Sequence, residues 1–154
     1  MNIRYDTAGR IDRLIEKPAW VVDFLPRQVP ADSPGQFFAV EAFWMDGPEM
    51  RDLYRRFLRV ILRLNCYYDF DTRYAGFWSH APSPEALSQA VMRCARTKRD
   101  YLAILADGDR ALLYLDGGDL YFSVYGPDEG LRGMIAQLAA SEGLFFRFGA
   151  NQDS

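Results

Sequence analysis

A chain of 154 residues is long enough to fold around one hydrophobic core, and we expect residues 1–154 to form a single globular domain. Hydrophobic residues make up 49% and charged residues 25% of the chain, a balance that argues against disorder. The net charge of −3 argues against a general nucleic-acid binder, because such proteins draw most of their affinity from cationic contacts to phosphates.

Nothing in the sequence indicates export or a membrane. Residues 1–17 lack the apolar core of a standard signal peptide, and no run approaches the roughly 18 apolar residues of a membrane span. The two cysteines, Cys66 and Cys94, form neither a CxxC pair nor a zinc pattern with histidine. We therefore expect a cytoplasmic protein that needs no cofactor and no metal.

The N-terminal part is expected to hold two short helices and a strand. Apolar spacing predicts a helix around residues 11–15 and a second one over 18–24, with proline at its first position. Three prolines make residues 26–35 a stiff connection. Period-two alternation predicts a strand at 36–45, with Glu41 as the one charge inside it.

The middle of the chain is expected to hold two helices and a strand. Apolar residues on one stripe make 49–64 the clearest helix of the sequence. Alternation predicts a strand at 66–71, and residues 76–82 are expected to be a loop. Ser83 has the character of a helix N-cap, which begins a helix over 84–96.

Residues 101–125 are expected to form a meander. The three strands are predicted at 101–106, 110–116 and 119–125. Glycines in the two turns supply the positive φ that tight hairpins require. A two-residue second turn would place Leu115 opposite Leu120 and Tyr114 opposite Tyr121. One face is then wholly apolar, and its residues are expected to share the core: Leu102, Ile104, Leu113, Leu115, Leu120, Phe122 and Val124.

The fold class follows from this order of elements. A last helix is predicted over 127–142 and a last strand over 144–148. Tight hairpins and short connections favour an α+β domain, with an antiparallel or mixed sheet of about five to six strands. Three main helices, 49–64, 84–96 and 127–142, are expected to cover the sheet.

The acidic turns near Gly117 and Gly118 do not have the ligand spacing of a calcium loop. Asp69-Phe70-Asp71 resembles the short DxD motif that holds a divalent metal in some glycosyltransferases, but the match is three residues long. Phosphate-binding glycine motifs do not occur in the chain. We expect no metal site.

The second face of the meander is the candidate binding surface. Tyrosines combine flat apolar area with a polar tip, and the face carries several of them. Its expected residues are Tyr114, Tyr121, Ser123 and Tyr125, with Glu41 and Arg110 at the rim. Cross-strand aromatic pairs also stabilise ordinary sheets, so a purely structural role is the alternative.

Four polar residues are the candidates for catalysis: Glu41, Asp69, Asp71 and His80. A carboxylate enclosed in an apolar pocket has a raised pKa and can act as a general acid. His80 is the only histidine, so it is the one possible histidine base. Both cysteines are expected to face the core, where thiols are usually inert. No nucleophile elbow accompanies these residues.

The helix at 49–64 carries a basic stripe. Arg51, Arg55 and Arg59 lie four residues apart and therefore share one side of the helix. Such a stripe could bind an anion, RNA or an acidic protein, whereas pairing with the protein's own acids is the commoner arrangement.

With no convincing catalytic constellation, the sequence favours a small non-enzymatic binding or regulatory protein, a neutraliser, immunity-type protein or adaptor. Its partner is expected to be another protein, bound through an aromatic and acidic surface. Two alternatives stay open: a small hydrolase or transferase that uses the four candidate polar residues, and a small-molecule sensor domain. The sequence does not indicate the oligomeric state.

Overall fold

The computed structural model describes the backbone of residues 3–149, and the side chains of that range except 3–8 and 46. The fold is α+β as expected, but over the described residues it contains one antiparallel sheet of seven strands, not five to six, and five helices. The helices are α1 (Ile3–Leu14), α2 (Gln36–Asp46), α3 (Glu49–Asn65), α4 (Pro84–Arg96) and α5 (Glu129–Ser141). The strands are β1 (Ala19–Asp23), β2 (Phe70–Tyr74), β3 (Phe77–His80), β4 (Tyr101–Ala106), β5 (Ala111–Asp116), β6 (Tyr121–Tyr125) and β7 (Phe145–Phe148). Their order in the sheet is β3-β2-β4-β5-β6-β1-β7.

The main core lies between one face of the sheet and α3, α4 and α5. The seven residues predicted from the meander to share this face all belong to the core, and none is more than 5% exposed. Phe122 packs edge-on against Phe57 of α3, with ring centroids 5.1 Å apart. The prediction of the core face is therefore confirmed.

The three main helices are also confirmed, although α5 begins two residues later than predicted, and side chains cap α4 and α5. Ser83 caps α4, its hydroxyl accepting the Ala86 N–H at 3.1 Å. Asp128 caps α5 in the same way by accepting the Leu131 N–H at 2.8 Å. The short helix predicted around residues 11–15 is present as the C-terminal part of α1 and the turn after it.

The second face of the sheet is partly covered. Leu14 of α1 packs with Ala103, Leu105 and Leu112 in a smaller cluster. The middle of the sheet is therefore buried on both sides, while its two ends stay more open.

The strand predicted at 36–45 is wrong, because these residues form α2. Almost every residue of this run is apolar, so a period of two and a period of 3.6 both fit it. The side chains that turn inward have helical spacing and pack against the main core: Phe37, Trp44 and Met45. Glu41 therefore lies on a helix and not in a strand.

The helix predicted over 18–24 is also wrong, because Ala19–Asp23 form β1. This strand lies inside the sheet, between β6 and β7. Val21 and Val22 point to opposite faces and are both completely buried. A strand covered on both faces lacks the polar–apolar alternation that marks a half-buried strand, and β-branched residues suit it.

The region between α3 and α4 needs two corrections. The strand predicted at 66–71 begins only at Phe70, because turns closed by Leu64 hold Tyr67 and Tyr68 after α3. The loop predicted at 76–82 contains β3, which pairs with β2 across Ala75-Gly76. Ala75 and Gly76 both have positive φ, as a tight hairpin turn requires.

The register of the last hairpin differs by two residues from the prediction. Tyr114 pairs with Ser123, and not with Tyr121. The connection is longer because other elements hold its backbone: the Tyr54 hydroxyl lies 3.1 Å and 2.8 Å from the carbonyl oxygens of Asp116 and Asp119. A shift by two residues preserves the parity, which is why the predicted core face is still correct.

Candidate functional site

A cleft of about 340 Å³ lies where α2 meets the sheet, and we call it the α2 cleft. Its walls come from the end of β1, the proline-rich connection after it, α2, and the turn that leads into β6. Its lining includes Asp23, Phe24, Arg27, Phe37, Phe38, Glu41, Asp119, Tyr121 and Arg147. The stiff connection predicted at 26–35 thus contributes one wall of the cleft.

A buried ion pair forms the floor of the α2 cleft on the β1–β7 side. Arg147 donates to the carboxylate of Asp23 at 2.6 Å, and their side chains are 18% and 8% exposed. The same carboxylate accepts the backbone N–H of Leu25 at 3.2 Å, which ties down the chain as it leaves β1. The two charges therefore balance each other within the protein, while Nε of Arg147 stays buried without a hydrogen-bond partner.

Two further carboxylates face the α2 cleft, and neither has a cationic partner in the described part of the chain. Glu41 reaches the cleft from α2, and Asp119 reaches it from the turn before β6. Burial, together with the negative charges of Asp116 and Glu41, raises the pKa of Asp119 to about 6. A carboxylate that is desolvated and repelled in a cleft is a typical feature of functional sites.

Aromatic side chains form the rest of the wall. Phe24 packs on Trp44 of α2 with ring centroids 5.0 Å apart, which fixes the helix against the end of β1. Tyr121 is half-buried, and its position beside Asp23 on the neighbouring strand brings it into the cleft. Burial raises the pKa of Tyr121 to about 12, so its hydroxyl stays protonated and can donate a hydrogen bond.

The outer face of α2 is apolar and exposed. It consists of Phe38, Ala39, Val40, Ala42 and Phe43. Phe38 and Phe43 are 67% and 64% exposed. A helix on the surface of a globular protein ordinarily turns charged and polar residues to solvent, so an apolar outer face is unusual. Phe38 also lines the α2 cleft, which makes the outer face and the cleft continuous.

The predicted tyrosine face does not form one continuous surface. Tyr121 lies in the α2 cleft, whereas Tyr114 and Tyr125 line a separate groove of about 280 Å³ beside Ile11 and Ile15 at the end of α1. Tyr114 stacks on Tyr101 there, with centroids 5.7 Å apart. Ser123 is half-buried between the two hollows on β6.

The two predicted rim residues lie at opposite ends of β5. Glu41 joins Tyr121 in the α2 cleft. Arg110 lies before the first residue of β5 and pairs with Asp107 at 3.3 Å and with Asp128 at 3.0 Å. Its guanidinium also lies over the ring of Tyr68. The structure therefore places Glu41 with one predicted tyrosine and keeps Arg110 away from it.

The four candidate catalytic residues do not converge. Asp71 and His80 pair across β2 and β3, with Nδ1 of the imidazole 2.5 Å from the carboxylate oxygen. The backbone N–H of Asp69 donates to the Asp107 side chain, and Glu41 belongs to the α2 cleft, which His80 does not line. No serine, threonine or cysteine among the described residues is hydrogen-bonded to His80, so the Asp–His pair is not part of a triad of the described side chains.

The two cysteines differ in exposure. Cys94 is buried as expected, and burial raises the pKa of its thiol to about 12, which leaves it protonated at neutral pH. The prediction that Cys66 faces the core is wrong, because Cys66 follows the last residue of α3 and is exposed. Over the residues that the structure describes, no group of three or more His, Cys, Asp or Glu side chains could hold a metal ion.

The basic stripe on α3 is divided. Arg59 and Arg63 both donate to the Glu142 carboxylate, at 2.6 Å and 2.9 Å, and Arg56 donates to its backbone oxygen at 2.8 Å. Arg51 and Arg55 are exposed to solvent. One of the three stripe residues, Arg59, therefore fastens α3 to the end of α5, together with Arg56 and Arg63 outside the stripe.

Two parts of the candidate site were missed in the sequence. Asp119 was interpreted as a turn residue, and nothing local shows that the turn packs beside α2. The outer face of α2 was hidden by the strand assignment, although the spacing of Phe37, Glu41 and Trp44 is helical and could have revealed it.

Within the described range, no helix is long and apolar enough to cross a membrane. Comparisons of the chain with protein-family models, with curated proteins and with solved structures found no match. The function must therefore be argued from the geometry of the α2 cleft and the outer face of α2.

Proposed function

We propose that this chain is a small non-enzymatic binding protein, of the neutraliser or adaptor kind, that recognises another protein through α2. The observation that carries the proposal is the exposed apolar outer face of α2, which continues through Phe38 into the acidic, aromatic α2 cleft. Exposed apolar patches beside polar residues are typical of protein interaction sites. Aromatic residues are also enriched among the anchors of such interfaces.

The charges at this surface favour a different protein as the partner over a second copy of the chain. A symmetric dimer would place the same patch of both copies face to face. Glu41 and Asp119 would then meet their own duplicates, and like charges across an interface cost free energy. A partner with a basic and apolar surface avoids this repulsion.

Affinity capture from the native cell tests the proposal. Val40→Gln with Phe43→Gln replaces two exposed apolar side chains on the outer face of α2 by a good helix former that is polar. The control is Phe77→Gln on β3, because Phe77 is also exposed, at 77%, but lies at the other end of the sheet. We expect the wild type and the control to retain the same partner and the double variant to lose it.

A further variant tests whether Tyr121 belongs to the same binding surface as the outer face of α2. Tyr121→Ala should weaken capture, because Tyr121 lines the α2 cleft. Tyr114→Ala should have a smaller effect, since Tyr114 lies in the separate groove beside α1. Equal retention by all variants would contradict the proposal, and the arginines Arg51 and Arg55 would become the next candidate surface.

The sensor alternative has one observation in its favour. The volume of the α2 cleft, about 340 Å³, lies at the lower end of the range for small-molecule pockets. A sensor would retain a metabolite of the cell through purification, whereas a protein binder would not. Mass spectrometry of the denatured native preparation separates these two functions.

A further inference from the structure

The charges that line the α2 cleft are not balanced. Asp23 is neutralised by Arg147 at 2.6 Å, so this pair offers no free charge to a ligand. Glu41 and Asp119 lack an ion pair in the described part of the chain, and Asp116 lies close enough to act on Asp119 electrostatically. Arg27 is the remaining cation in the wall, and it is exposed at the surface. The interior of the cleft is therefore negative.

This arrangement is unfavourable while the cleft contains only water. Two carboxylates in a partly desolvated site repel each other, and no ion pair within the described part of the chain offsets this repulsion. A positively charged group placed between them would gain attraction from both. A bound cation would therefore relieve the repulsion between the two carboxylates.

The walls suit a cation attached to an apolar stem. Phe24, Phe37, Phe38 and Tyr121 bring aromatic rings to the cleft beside the two carboxylates. Aromatic faces attract guanidinium and ammonium groups, and they also pack against the methylene groups of a long basic side chain. The cleft's volume of about 340 Å³ has room for such a side chain with its neighbours.

We propose that the α2 cleft binds the cationic head of an arginine or lysine side chain, which the partner protein presents next to apolar residues. The inference rests on the proposed function, because the apolar neighbours would contact the outer face of α2. Glu41 and Asp119 bind the cation, and Tyr121 and Phe38 pack against its stem. The partner is thus a protein with a basic residue inside an apolar patch.

The test uses three small aromatic probes of nearly equal shape. Benzamidine carries an amidinium group, benzamide is its neutral counterpart, and benzoate carries a negative charge. Each is titrated into isotope-labelled protein while backbone amide chemical shifts are recorded. We expect benzamidine alone to cause saturable shifts, centred on Phe38, Glu41 and residues 119–121.

Matched variants assign the effect to the two carboxylates. Asp119→Asn and Glu41→Gln should each weaken benzamidine binding by about fivefold to tenfold, because each removes one charge-assisted contact. Asp109→Asn is the control, since Asp109 is exposed at the β4–β5 turn and should leave the affinity unchanged. The spectra without ligand show whether each variant keeps the fold.

Three outcomes would overturn the inference. Benzamide binding as tightly as benzamidine would mean that the cleft selects shape alone. Benzoate binding in the cleft would mean that Arg27 or Arg147 determines the charge preference. Unchanged affinity in both carboxylate variants would place the cation elsewhere.

The experiments can test the proposed function independently of the cation inference. Val40 and Phe43 do not line the α2 cleft, so Val40→Gln with Phe43→Gln should still bind benzamidine. Loss of the partner in that variant, together with no benzamidine binding by the wild type, would reject only the cation inference. Benzamidine binding together with full partner capture by the variant would instead reject the proposed function.

Discussion

Gly117 lies where the connection between β5 and β6 passes closest to another backbone segment. A Cβ at this position would overlap the carbonyl oxygen of Thr97 and lie 2.7 Å from that of Asp100. The Gly117 N–H donates to the Asp100 oxygen at 2.8 Å, and the next N–H donates to Cys94 at 3.0 Å. The glycine is thus required by close packing against backbone atoms, which cannot move aside as a flexible side chain can.

We therefore expect Gly117→Ala to lower the free energy of unfolding by about 1–3 kcal/mol or more, the usual cost of overpacking. The control is Gly133→Ala in α5, where a Cβ would meet no atom within 4 Å. Because alanine is the better helix former, the control should gain about 0.5–1 kcal/mol. Urea denaturation measures both variants, and a similar change in the two would show that Gly117 is not sterically confined.

Asp119 predicts a pH dependence of stability. Its pKa in the folded protein is raised to about 6 from an ordinary value of 3.8, mainly by burial and further by Asp116 and Glu41. The folded state therefore binds this proton more tightly than the unfolded state. This carboxylate consequently lowers the stability as the pH rises from about 4 to about 6, and it remains unfavourable above that range.

Asp119→Asn removes this contribution, because the amide does not ionise. We expect the variant to gain melting temperature relative to the wild type at about pH 7.5 and to gain less at about pH 4. Asp109→Asn provides the matched control at an exposed acid. A difference between variant and wild type that does not change with pH would contradict the raised pKa.

At the scale of elements, the meander and the three long helices could be predicted because two independent patterns agreed on them. Apolar parity in the strands and apolar stripes in the helices indicated the same buried face. The apolar runs at 18–24 and 36–45 had no such constraint, since they fit more than one period. Tertiary packing determined which structure each run adopts. The first run contains the strand β1, which is buried on both faces, and the second forms the helix α2, which packs through its inner side only.

The core face of the meander makes a quantitative prediction. Phe122 is 1% exposed and packs edge-on against Phe57 at 5.1 Å. Phe122→Ala should therefore cost about 3–5 kcal/mol, as truncation of a fully packed aromatic residue does. Phe77→Ala, at a residue 77% exposed, should cost less than about 0.5 kcal/mol. A cost below about 1 kcal/mol for Phe122 would show that its site is not tightly packed.

At the scale of the whole molecule, one sheet separates two kinds of surface. The face covered by α3, α4 and α5 holds the main core. The other face is covered in its middle by α1 and contributes Asp23, Tyr121 and Arg147 to the α2 cleft near one end. The candidate site therefore combines residues of the second face of the sheet with residues of α2.

The distribution of acids predicts that the isolated protein is monomeric. The exposed apolar outer face of α2 would favour association, but a symmetric contact there would bring Glu41 and Asp119 of both copies together. Light scattering during size exclusion should give the mass of one chain, 17.7 kDa. A stable dimer that Val40→Gln with Phe43→Gln dissociates would instead identify a second copy as the occupant of α2.

The sequence by itself determined the α+β class, the boundaries of α3 and α4 to within a residue, and the meander residues that line the main core. These features depend on local periodicity and capping, which act over a few residues. Only the tertiary structure decided that 36–45 is a helix, that Tyr114 and Tyr121 lie in different hollows, and that Glu41 meets Asp119. The first reason is that a run of apolar residues fits the period of a helix and the period of a strand equally well. The second reason is that long-range contacts, such as those of the Tyr54 hydroxyl, lengthen the turn between β5 and β6. The longer turn shifts the register of the hairpin, which the local sequence does not determine.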